Sequence, residues 1–541
     1  MTNKNWYKQA VGYQIYPKSF KDSNGDGIGD IRGIIEKLPY LKSLGIDFIW
    51  LNPIYASPQV DGGYDISDFY AVDPMFGTLD DLRELLDKVH KLGMKLIMDL
   101  VVNHTSDQHQ WFIESQKSKD NPYRDYYLWA DATPDQMPND WQSFFGYSTW
   151  TYDPKTEQAY FHVFAPQQPD LNWKNPKLRE EIYKMVRWWL EDVKIDGFRL
   201  DAISHIQKAP WDTKIKSLKG NDPWQPFMNV AGIDDYMRDL KNIFDAYDCI
   251  TVGEASGVTS KEASDWTDPK TGYIQMIFEL EHNARKWNEE STGSIYGYKK
   301  TIMRWQLDLL ERGWNALYLE NHDQPRAIDI FGDGSIASAK ALAVSYMLLR
   351  GTPFIYQGQE IGMSNFPFTD ISQVSTADTL THYYNAIKAG MTPEQAFISK
   401  VKNSRDVSRT PMQWDASPNS GFTTGKPWFP LNPNYKTVNV EIESDILDLY
   451  RALIQLRHDE KAISAGSIKF HAVRHPSLFI FEREEFLIIT NLSKNNAVVK
   501  FEADFDLNDY EPILASKPYK LKQGLKVEQW TYLVYKKSKK H

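Results

Sequence analysis

The chain has 541 residues, with 62 Lys and Arg against 72 Asp and Glu, which gives a net charge of −10. An acidic chain has no electrostatic attraction for a polyanion, so we do not expect nucleic acid as a partner. The length exceeds what one hydrophobic core supports and predicts two or three domains. The N-terminal sequence lacks an apolar segment of signal-peptide length, and no run of about 18 apolar residues occurs, so we expect a cytoplasmic protein without a membrane span.

Short apolar segments typical of buried strands recur along the chain, with helical stretches between them. The clearest helical stretch follows Thr78, a residue suited to the N-cap, and ends at Gly93, with its leucines on one face. Alternation of strand and helix repeated eight times predicts an α/β fold, a (β/α)8 TIM barrel whose active site lies at the C-terminal ends of the strands. The eight predicted strands span residues 10–17, 46–53, 95–102, 195–202, 249–255, 273–280, 314–321 and 352–359.

The spacing between predicted strands is uneven, which locates insertions. About 90 residues separate the third strand from the fourth, too many for one connecting helix, and the surplus at 104–172 predicts a small domain inserted over the barrel mouth. A second surplus at 362–440 predicts a lid or subdomain. Short alternating β-runs at 460–541 predict a C-terminal antiparallel β-sandwich, which leaves 1–103 and 173–459 for the barrel.

Three predicted strands end in a carboxylate. GFRLDA carries Asp201, TVGEAS carries Glu254 and YLENHDQ carries Asp323. Carboxylates from such strand ends can converge on one pocket, and two close carboxylates of unlike pKa are the usual means of cleaving a glycosidic bond. Arg199 lies two residues before Asp201 on the same face, where it would keep a nucleophile ionised. An ordinary ion pair is the alternative for Arg199.

Two histidines, His104 and His322, each follow a predicted strand at the opening of the barrel. The sequence has neither an HExxH pattern nor a cysteine cluster, so zinc is not expected, and we interpret both as hydrogen-bond partners of substrate hydroxyls. A purely structural role is the alternative. The one cysteine, Cys249, lies in an apolar segment, which predicts a buried thiol and excludes an internal disulfide.

The segment DSNGDGIGD places oxygen-bearing residues at alternate positions, the ligand offsets of an EF-hand loop, with Gly27 at the turn. The twelfth position is Gly33 instead of Glu, so the loop is not an EF-hand. Hard oxygen ligands still predict a structural Ca²⁺ site, with a surface loop that binds no ion as the alternative. The candidate ligands are Asp22, Asn24, Asp26, Ile28 and Asp30.

Seven motifs of the chain, in this order, resemble those of the α-amylase-type glycoside hydrolases (family 13): AVGYQIYPKSF, DGGYDI, DLVVNHT, GFRLDA, VGEAS, ENHDQPR and RTPMQW. Within that family they are similar to the bacterial branch of oligo-1,6-glucosidases, dextran glucosidases and α-glucosidases. The resemblance covers essentially the whole chain, and seven motifs in a fixed order are far more specific than one short pattern. It implies the barrel, a domain B inserted after the third strand and a C-terminal β domain.

The resemblance also implies roles for single residues. Asp201 is implied as the nucleophile, Glu254 as the general acid/base and Asp323 as the residue that stabilises the transition state. These roles imply retention of configuration, with the carboxyls of Asp201 and Glu254 about 5–5.5 Å apart. In this branch Asp61 and Arg409 close the subsite for the non-reducing glucose, which implies exo action. The residues implied to line that subsite are Asp61, Tyr64, His104, Arg199, His322 and Arg409, and those matching the calcium loop of the branch are Asp22, Asn24, Asp26, Ile28 and Asp30.

The resemblance also bears on the type of glycosidic linkage that the protein would cleave. In this branch the residue after the nucleophile tends to be Val in α-1,6 enzymes and Ala or Thr in α-1,4 enzymes, and here it is Ala202. Many oligo-1,6 members have Met-Pro after the acid, where this chain has Ala255 and Ser256. Both differences favour α-1,4 links, so we expect an α-glucosidase acting on maltose and maltooligosaccharides.

Alternatives stay open at this point. An oligo-1,6-glucosidase or dextran glucosidase would act on isomaltooligosaccharides, and an α-glucosyl transferase would pass the same intermediate to a sugar instead of water. A trehalose-6-phosphate hydrolase would need a basic phosphate pocket that the sequence does not reveal. A non-catalytic carbohydrate-binding or structural relative is disfavoured because all three acids are present. The sequence leaves the oligomeric state open and is compatible with a monomer.

Overall fold

The computed structural model describes residues 5–214, 223–282, 294–374, 376–442, 444–502, 505, 507–517 and 519–538. The strands, in chain order, are β1 (Gly12–Ile15), β2 (Phe48–Leu51), β3 (Tyr55–Ala56), β4 (Asp68–Val72), β5 (Lys95–Val101), β6 (Trp129–Asp131), β7 (Trp150–Asp153), β8 (Gln158–Phe161), β9 (Gly197–Asp201), β10 (Ile250–Glu254), β11 (Met276–Phe278), β12 (Asn315–Leu317), β13 (Thr352–Tyr356), β14 (Lys469–His471), β15 (Leu478–Arg483), β16 (Phe486–Asn491), β17 (Ala497–Val499), β18 (Tyr510–Ala515), β19 (Leu525–Val527) and β20 (Tyr532–Lys537). The α-helices are α1 (Ile31–Leu44), α2 (Leu79–Lys91), α3 (Gln110–Ser115), α4 (Pro176–Trp188), α5 (Ile233–Ala246), α6 (Ser260–Trp266), α7 (Ile295–Asp308), α8 (Ala327–Ile330), α9 (Ile336–Met347), α10 (Ala377–Lys388), α11 (Pro393–Ala396), α12 (Asp445–Asp459) and α13 (Lys461–Ala465).

Within the described residues, eight parallel strands close into a barrel in the order β1, β13, β12, β11, β10, β9, β5, β2. β2 pairs with β1 and completes the ring. Each barrel strand lies inside one of the eight segments predicted from the sequence, and helices separate consecutive strands. The predicted (β/α)8 barrel is therefore confirmed.

The barrel strands bury both of their faces, which explains their nearly continuous apolar sequences. Alternate residues point into the barrel and out toward the helices. The inward set packs as one buried cluster that includes Phe48, Trp50, Ile97, Val252, Phe278 and Phe354. The outward set joins the strands to the helices and includes Ile49, Leu51, Met98, Phe198 and Leu200. The inward rows of β5 and β9 continue with charged residues toward their C-terminal ends, and this is where the site forms.

Helix α2 shows how local sequence sets the length of an element. The Thr78 hydroxyl accepts a hydrogen bond from the Asp81 amide at 3.1 Å, and the Asp81 carboxylate accepts one from the Thr78 amide at 2.8 Å. This capping box satisfies amide groups that the first turn leaves free. Gly93 follows the helix with a φ of +70°, a conformation that glycine adopts without strain. Both ends of the helix predicted at 78–93 agree with these features.

Further elements surround the barrel where the sequence predicts insertions. Between β5 and β9 lies a three-stranded antiparallel sheet in the order β6, β8, β7, backed by an aromatic cluster that includes Trp141, Trp150 and Phe161. After β13 come α10 and α11, which pack on Phe366 and Phe368. β14, β15, β16, β20 and β18 form a five-stranded antiparallel sheet beside the β17–β19 pair. The exact domain boundaries stay a prediction. Among the described helices, none has the length and apolar character needed to cross a membrane.

We expect Gly197→Ala to destabilise the barrel strongly. Gly197 begins β9, its φ is +151°, and an added Cβ would lie 1.9 Å from the carbonyl oxygen of Ile250 on the neighbouring strand. Backbone must therefore move in the strand that carries Asp201. A clash with backbone in the core is among the most destabilising kinds of substitution, so the free energy of unfolding should fall by about 3 kcal/mol or more. Urea titrations followed by circular dichroism measure this change.

Gly93→Ala is the matched control. Gly93 also has a positive φ, but an added Cβ meets nothing within 4 Å. Only backbone strain remains, so this variant should lose about 1 kcal/mol. Equal losses for the two variants would contradict the explanation from close strand contact.

Candidate active site

Neighbouring barrel strands bring four charged side chains together at their C-terminal ends. β5 carries Asp99, β9 carries Arg199 and Asp201, and β10 ends at Glu254. The parallel register places Asp99 beside Arg199, and the period of two along β9 puts Arg199 and Asp201 on the same face. Two of the three acids singled out in the sequence, Asp201 and Glu254, therefore meet at one end of the barrel.

Arg199 is the centre of this group. Its side chain is buried, with Nη1 at 2.6 Å from Oδ1 of Asp99 and Nη2 at 2.8 Å from Oε2 of Glu254. Nη1 also contacts Oδ1 of Asp201. The indole of Trp50 donates to Oδ2 of Asp99 at 2.7 Å and lies 5.0 Å from the guanidinium. One cation thus faces three carboxyl groups from three strands.

Burial governs the protonation of this cluster. It raises the pKa of Asp99 to about 6 and the pKa of Asp201 well above its usual range, while the charge of Arg199 opposes both shifts. Burial acts to lower the pKa of Arg199, but the carboxyls of Glu254, Asp99 and Asp201 outweigh it and hold that pKa well above its ordinary value. Three carboxyls around one guanidinium favour binding a proton, which suits chemistry that needs one protonated and one ionised carboxyl.

Asp323, the third acid, follows β12 and faces two arginines. Its Oδ1 lies 2.8 Å from Nη2 of Arg409 and 3.2 Å from Nη1 of Arg405. Arg409 also donates from Nε to the carbonyl of His322 at 2.7 Å. These contacts give Asp323 a fixed position above the barrel and a partner for its charge.

Asp61 lies between β3 and β4 and pairs with Arg405, at 2.6 Å from Nη2 to Oδ1. The same Nη2 atom lies 3.0 Å from Oδ1 of Asp378 on α10. The pair that joins Asp61 to the segment after the barrel is therefore made by Arg405, and both Arg405 and Arg409 pair with Asp323. The expectation that Asp61 and Arg409 close the subsite stays a prediction.

Aromatic stacking orders the remaining predicted residues. The ring of Tyr64 stacks on that of His322 with centroids 5.3 Å apart, and Nε2 of Gln14 lies 2.7 Å from Nδ1 of His322. His104 lies with Nε2 at 3.1 Å from the carbonyl of Tyr64. Burial lowers the pKa of His104 to about 4 and that of His322 well below its ordinary value, so both rings are neutral near pH 7.

These side chains surround a pocket of about 560 Å³, counting the space open to solvent. The predicted site residues that line it are Asp61, Tyr64, His104, Asp201, Ala202, Glu254 and Asp323. The other predicted residues, Arg199, His322 and Arg409, are buried behind this lining and contact its members.

Ala202, the residue singled out for linkage, has a φ of +46°. Its amide donates to Oε2 of Glu254 at 3.2 Å. A positive φ is uncommon for any residue other than glycine and is strained for β-branched side chains. Ala202 therefore carries backbone strain at the turn after β9, and its small side chain lines the pocket.

Several lining residues were missed by the sequence analysis. Arg405 lines the pocket and lies four positions before Arg409 in SRDVSRTPMQW. This segment is polar and lacks hydrophobic periodicity, so its sequence does not indicate which side chains face inward. Phe144, Phe145 and Phe164 also line the pocket. They come from the aromatic stretch that was predicted only as an inserted domain. The available signals were a second Arg close to the RTPMQW motif and a cluster of Phe residues. Neither signal indicates which residues these side chains contact.

The loop predicted to bind Ca²⁺ is held by its own hydrogen bonds. Asp22 is buried, and it accepts from the amides of Asn24, Gly25 and Gly27 and from the hydroxyl of Thr423. Asn24 and Asp26 are exposed, and the side-chain oxygens of Asn24 and Asp26 accept one bond each, which leaves oxygen lone pairs suited to a hard cation. Among the described residues, no group of three or more Asp, Glu, His or Cys is arranged to hold a metal ion. Calcium therefore stays a prediction for this loop.

Comparison with known proteins gives a consistent result. Residues 14–466 match the family described as alpha amylase, catalytic domain. The chain is 43% identical to the oligo-1,6-glucosidase of Parageobacillus thermoglucosidasius over 98% of this chain and 99% of that protein. It is 46% identical to the probable oligo-1,6-glucosidase 3 of Bacillus subtilis (strain 168) over 92% of each. The solved structure of a mutant trehalulose synthase MutB with Tris is 39% identical, with a TM-score of 0.92 over 98% of this chain and 100% of that chain.

The buried neutral histidines make stability depend on pH. A folded-state pKa below the ordinary 6.5 means that the unfolded chain binds protons first, so stability is present above pH 6.5 and is lost as the pH falls toward the folded pKa. Burial lowers the pKa of His162 to about 4. We expect this residue alone to remove about 2 kcal/mol of unfolding free energy between pH 7 and pH 5.

The variant His162→Gln isolates this contribution. Gln can keep bonds to Thr151 and to the carbonyl of Phe164, which His162 contacts at 3.0 and 2.9 Å, and it does not titrate. Urea unfolding at pH 7 and pH 5 should show a smaller loss in the variant than in the parent protein. The raised pKa values of Asp65 and Asp99 make the folded protein more stable as the pH falls, which is opposite to the effect of His162. This contribution is present in both proteins, so it cancels when their pH dependences are compared. An identical pH dependence would rule out the explanation.

Proposed function

The chain belongs to the α-amylase family of glycoside hydrolases, and we propose that within it the protein is a retaining, exo-acting α-glucosidase for short α-1,6-linked glucosides. The observation that carries this proposal is the contact of one buried guanidinium with Asp201 and Glu254 beside a pocket that Asp323 also lines. Two carboxyls in unlike surroundings are the equipment for glycoside cleavage.

In the proposed reaction Asp201 attacks the anomeric carbon while Glu254 protonates the leaving oxygen. The glycosidic bond breaks, and a covalent glucosyl–Asp201 ester forms. Glu254, now ionised, takes a proton from water as the water attacks the ester, and glucose leaves with its configuration retained. Arg199 supports the step because its charge opposes the effect of burial and favours the ionised form of Asp201.

Exo action is supported by the ion pairs at Asp61. Arg405 joins Asp61 to Asp323 and to Asp378 on α10, so charged groups that already have partners bound the pocket on that side. A chain of sugars would have to displace these buried pairs to pass through, which is costly because each charge would be left uncompensated. A single terminal glucose avoids that cost and can use the same groups for its hydroxyls.

The linkage proposal departs from the expectation from sequence. The sequence favoured α-1,4 links because of Ala202, whereas the two curated relatives named above carry oligo-1,6-glucosidase names. One methyl-sized difference beside the leaving sugar amounts to only about 1–3 kcal/mol, so Ala202 alone is a weak argument against the names of these relatives. The α-1,4 specificity remains the second candidate, supported by Ala255 and Ser256. Transfer to a sugar, as the name of the trehalulose synthase suggests for that protein, would use the same intermediate.

Glucose release from isomaltose and maltose tests the linkage. We expect kcat/KM for isomaltose to exceed that for maltose by about 10-fold or more, the discrimination that a difference in packing around a leaving sugar can provide. Both disaccharides are supplied at equal concentrations, and proton NMR of the released glucose also reports which anomer appears first. Faster maltose cleavage would overturn the α-1,6 proposal and leave the mechanism intact.

Asp201→Asn is the control for the mechanism. It keeps the shape of the side chain and removes the nucleophile, so turnover should fall by about 10³-fold or more on either substrate. An unchanged melting temperature would show that the fold is intact. Turnover that survives in this variant would contradict the role of Asp201.

Calcium is tested by melting temperature. If the loop at 22–30 binds Ca²⁺, millimolar Ca²⁺ should raise the melting temperature relative to EDTA, because a ligand of the folded state alone stabilises it. Asp26→Asn is the matched variant, since Asp26 is exposed and Asn removes the charge while keeping an acceptor oxygen for the Ile28 amide. Only the exposed bond that Asp26 accepts from the Asn24 side chain is lost. The variant should abolish the calcium shift with little change in EDTA. No shift in the parent protein, with Mg²⁺ as a comparison, would refute the calcium prediction.

A further inference from the structure

We propose that Lys208 is a positioning residue that, acting through Asn103, holds the proton of the His104 ring on Nε2. The inference rests on the proposed function, because His104 lines the pocket in which a terminal glucose would bind. The tautomer of the His104 ring follows from which neighbouring atoms can donate hydrogen bonds and which can accept them. Lys208 lies outside the set of residues predicted from the sequence.

Lys208 is buried and makes three contacts. Nζ lies 2.7 Å from Oδ2 of Asp170, 2.8 Å from Oδ1 of Asn103 and 2.5 Å from the carbonyl oxygen of His205. An ammonium group can donate hydrogen bonds and cannot accept them. Each partner must therefore present an oxygen to Lys208.

This requirement fixes the amide of Asn103. With Oδ1 facing Lys208, Nδ2 faces Nδ1 of His104 at 3.3 Å. An amide nitrogen can only donate, so Nδ1 of His104 must accept and cannot carry a proton. Turning the amide over would place its two hydrogens against an ammonium group at 2.8 Å. Lys208 excludes that arrangement.

The other ring nitrogen agrees with this assignment. Nε2 of His104 lies 3.1 Å from the carbonyl of Tyr64, which can only accept. Nε2 of Gln168 also lies 3.1 Å away, and this contact taken alone would favour the opposite tautomer. Gln168 has another acceptor, Oδ2 of Asp61 at 3.0 Å. The opposite tautomer would lose the hydrogen bonds with Tyr64 and Asn103 and would gain only the one from Gln168.

The tautomer matters because the ring is neutral. Burial lowers the pKa of His104 to about 4, so near pH 7 one nitrogen donates and the other accepts. The Nε2–H of His104 is donated to the Tyr64 carbonyl, and a bound sugar can share this N–H while the carboxylate of Asp61 serves as the neighbouring acceptor. A sugar hydroxyl both donates and accepts, so this donor–acceptor pair suits one hydroxyl of the bound glucose.

Asn103→Asp is the sharpest variant. An aspartate keeps an oxygen on Lys208 but presents a second acceptor to His104, so the proton should move to Nδ1. The full-length protein labelled with ¹⁵N-histidine reports this in long-range ¹H–¹⁵N spectra, with the His104 signals identified by their loss in His104→Gln. We expect the Nε2–H pattern in the parent protein and the Nδ1–H pattern in Asn103→Asp. kcat/KM for the disaccharide that the protein cleaves should fall by about 10- to 100-fold, the effect of turning a buried donor into an acceptor.

Two further variants separate tautomer control from a structural role. Asp170→Asn removes the charged partner of Lys208 and leaves its contact with Asn103, so the Nε2–H pattern should persist. Lys208→Met with Asp170→Asn removes the ammonium without leaving a buried unpaired carboxylate, and the signals of both tautomers should then appear. A parent protein with Nδ1–H, or an Nε2–H pattern that survives in Asn103→Asp, would overturn the proposal. The spectra decide this whether or not the protein cleaves either disaccharide, so a failure here is distinct from a failure of the proposed function.

Discussion

The buried guanidinium of Arg199 is the constraint on which the site depends. Asp99, Asp201 and Glu254 all contact it, and its charge opposes the rise in pKa that burial causes at Asp99 and Asp201. A planar guanidinium suits this position because its two Nη atoms hold carboxyls on different strands at once in a fixed fork geometry. The barrel register supplies the geometry, since a slip of one residue in β9 would turn both Arg199 and Asp201 toward the helices.

Arg405 plays a comparable part outside the barrel, because one guanidinium again contacts several carboxylates. It contacts Asp61 from the β3–β4 region, Asp323 after β12 and Asp378 on α10, so three distant segments meet at one side chain. α10 also touches the inserted segment, where the hydroxyls of Tyr147 and Thr381 lie 2.5 Å apart. Buried charges hold these segments together more strictly than apolar packing would, because each pair that opens leaves a charge uncompensated. The pocket is therefore bounded by groups whose positions depend on one another.

The sequence predicted the parts of the molecule that follow a simple rule. Buried parallel strands are short and apolar and end in polar residues, so the eight strands and the acids at their ends, Asp201 and Glu254, could be found from pattern alone. Arg405 could not, because it comes from a polar segment with no periodicity and its partners lie far away in sequence. The positive φ of Ala202 was equally hidden, since a non-glycine residue gives no sign of that conformation. The resemblance implied that Arg409 lines the subsite. Arg405, which contacts Asp61, was not among the predicted residues.

The chemistry of the lining indicates where specificity is strong. Asp61, His104 and Asp323 line the pocket with polar atoms, and a site built to hydrogen-bond a sugar hydroxyl rejects a sugar that lacks it by about 10⁴-fold or more in kcat/KM. The space beside the leaving sugar differs between linkages by packing alone, as at Ala202, and a methylene-sized change there amounts to about 10- to 200-fold. In the proposed function, hydrogen bonds would therefore set the identity of the terminal sugar, and packing contacts would set the linkage. For this reason one side chain after the proposed nucleophile is a weak guide to the linkage.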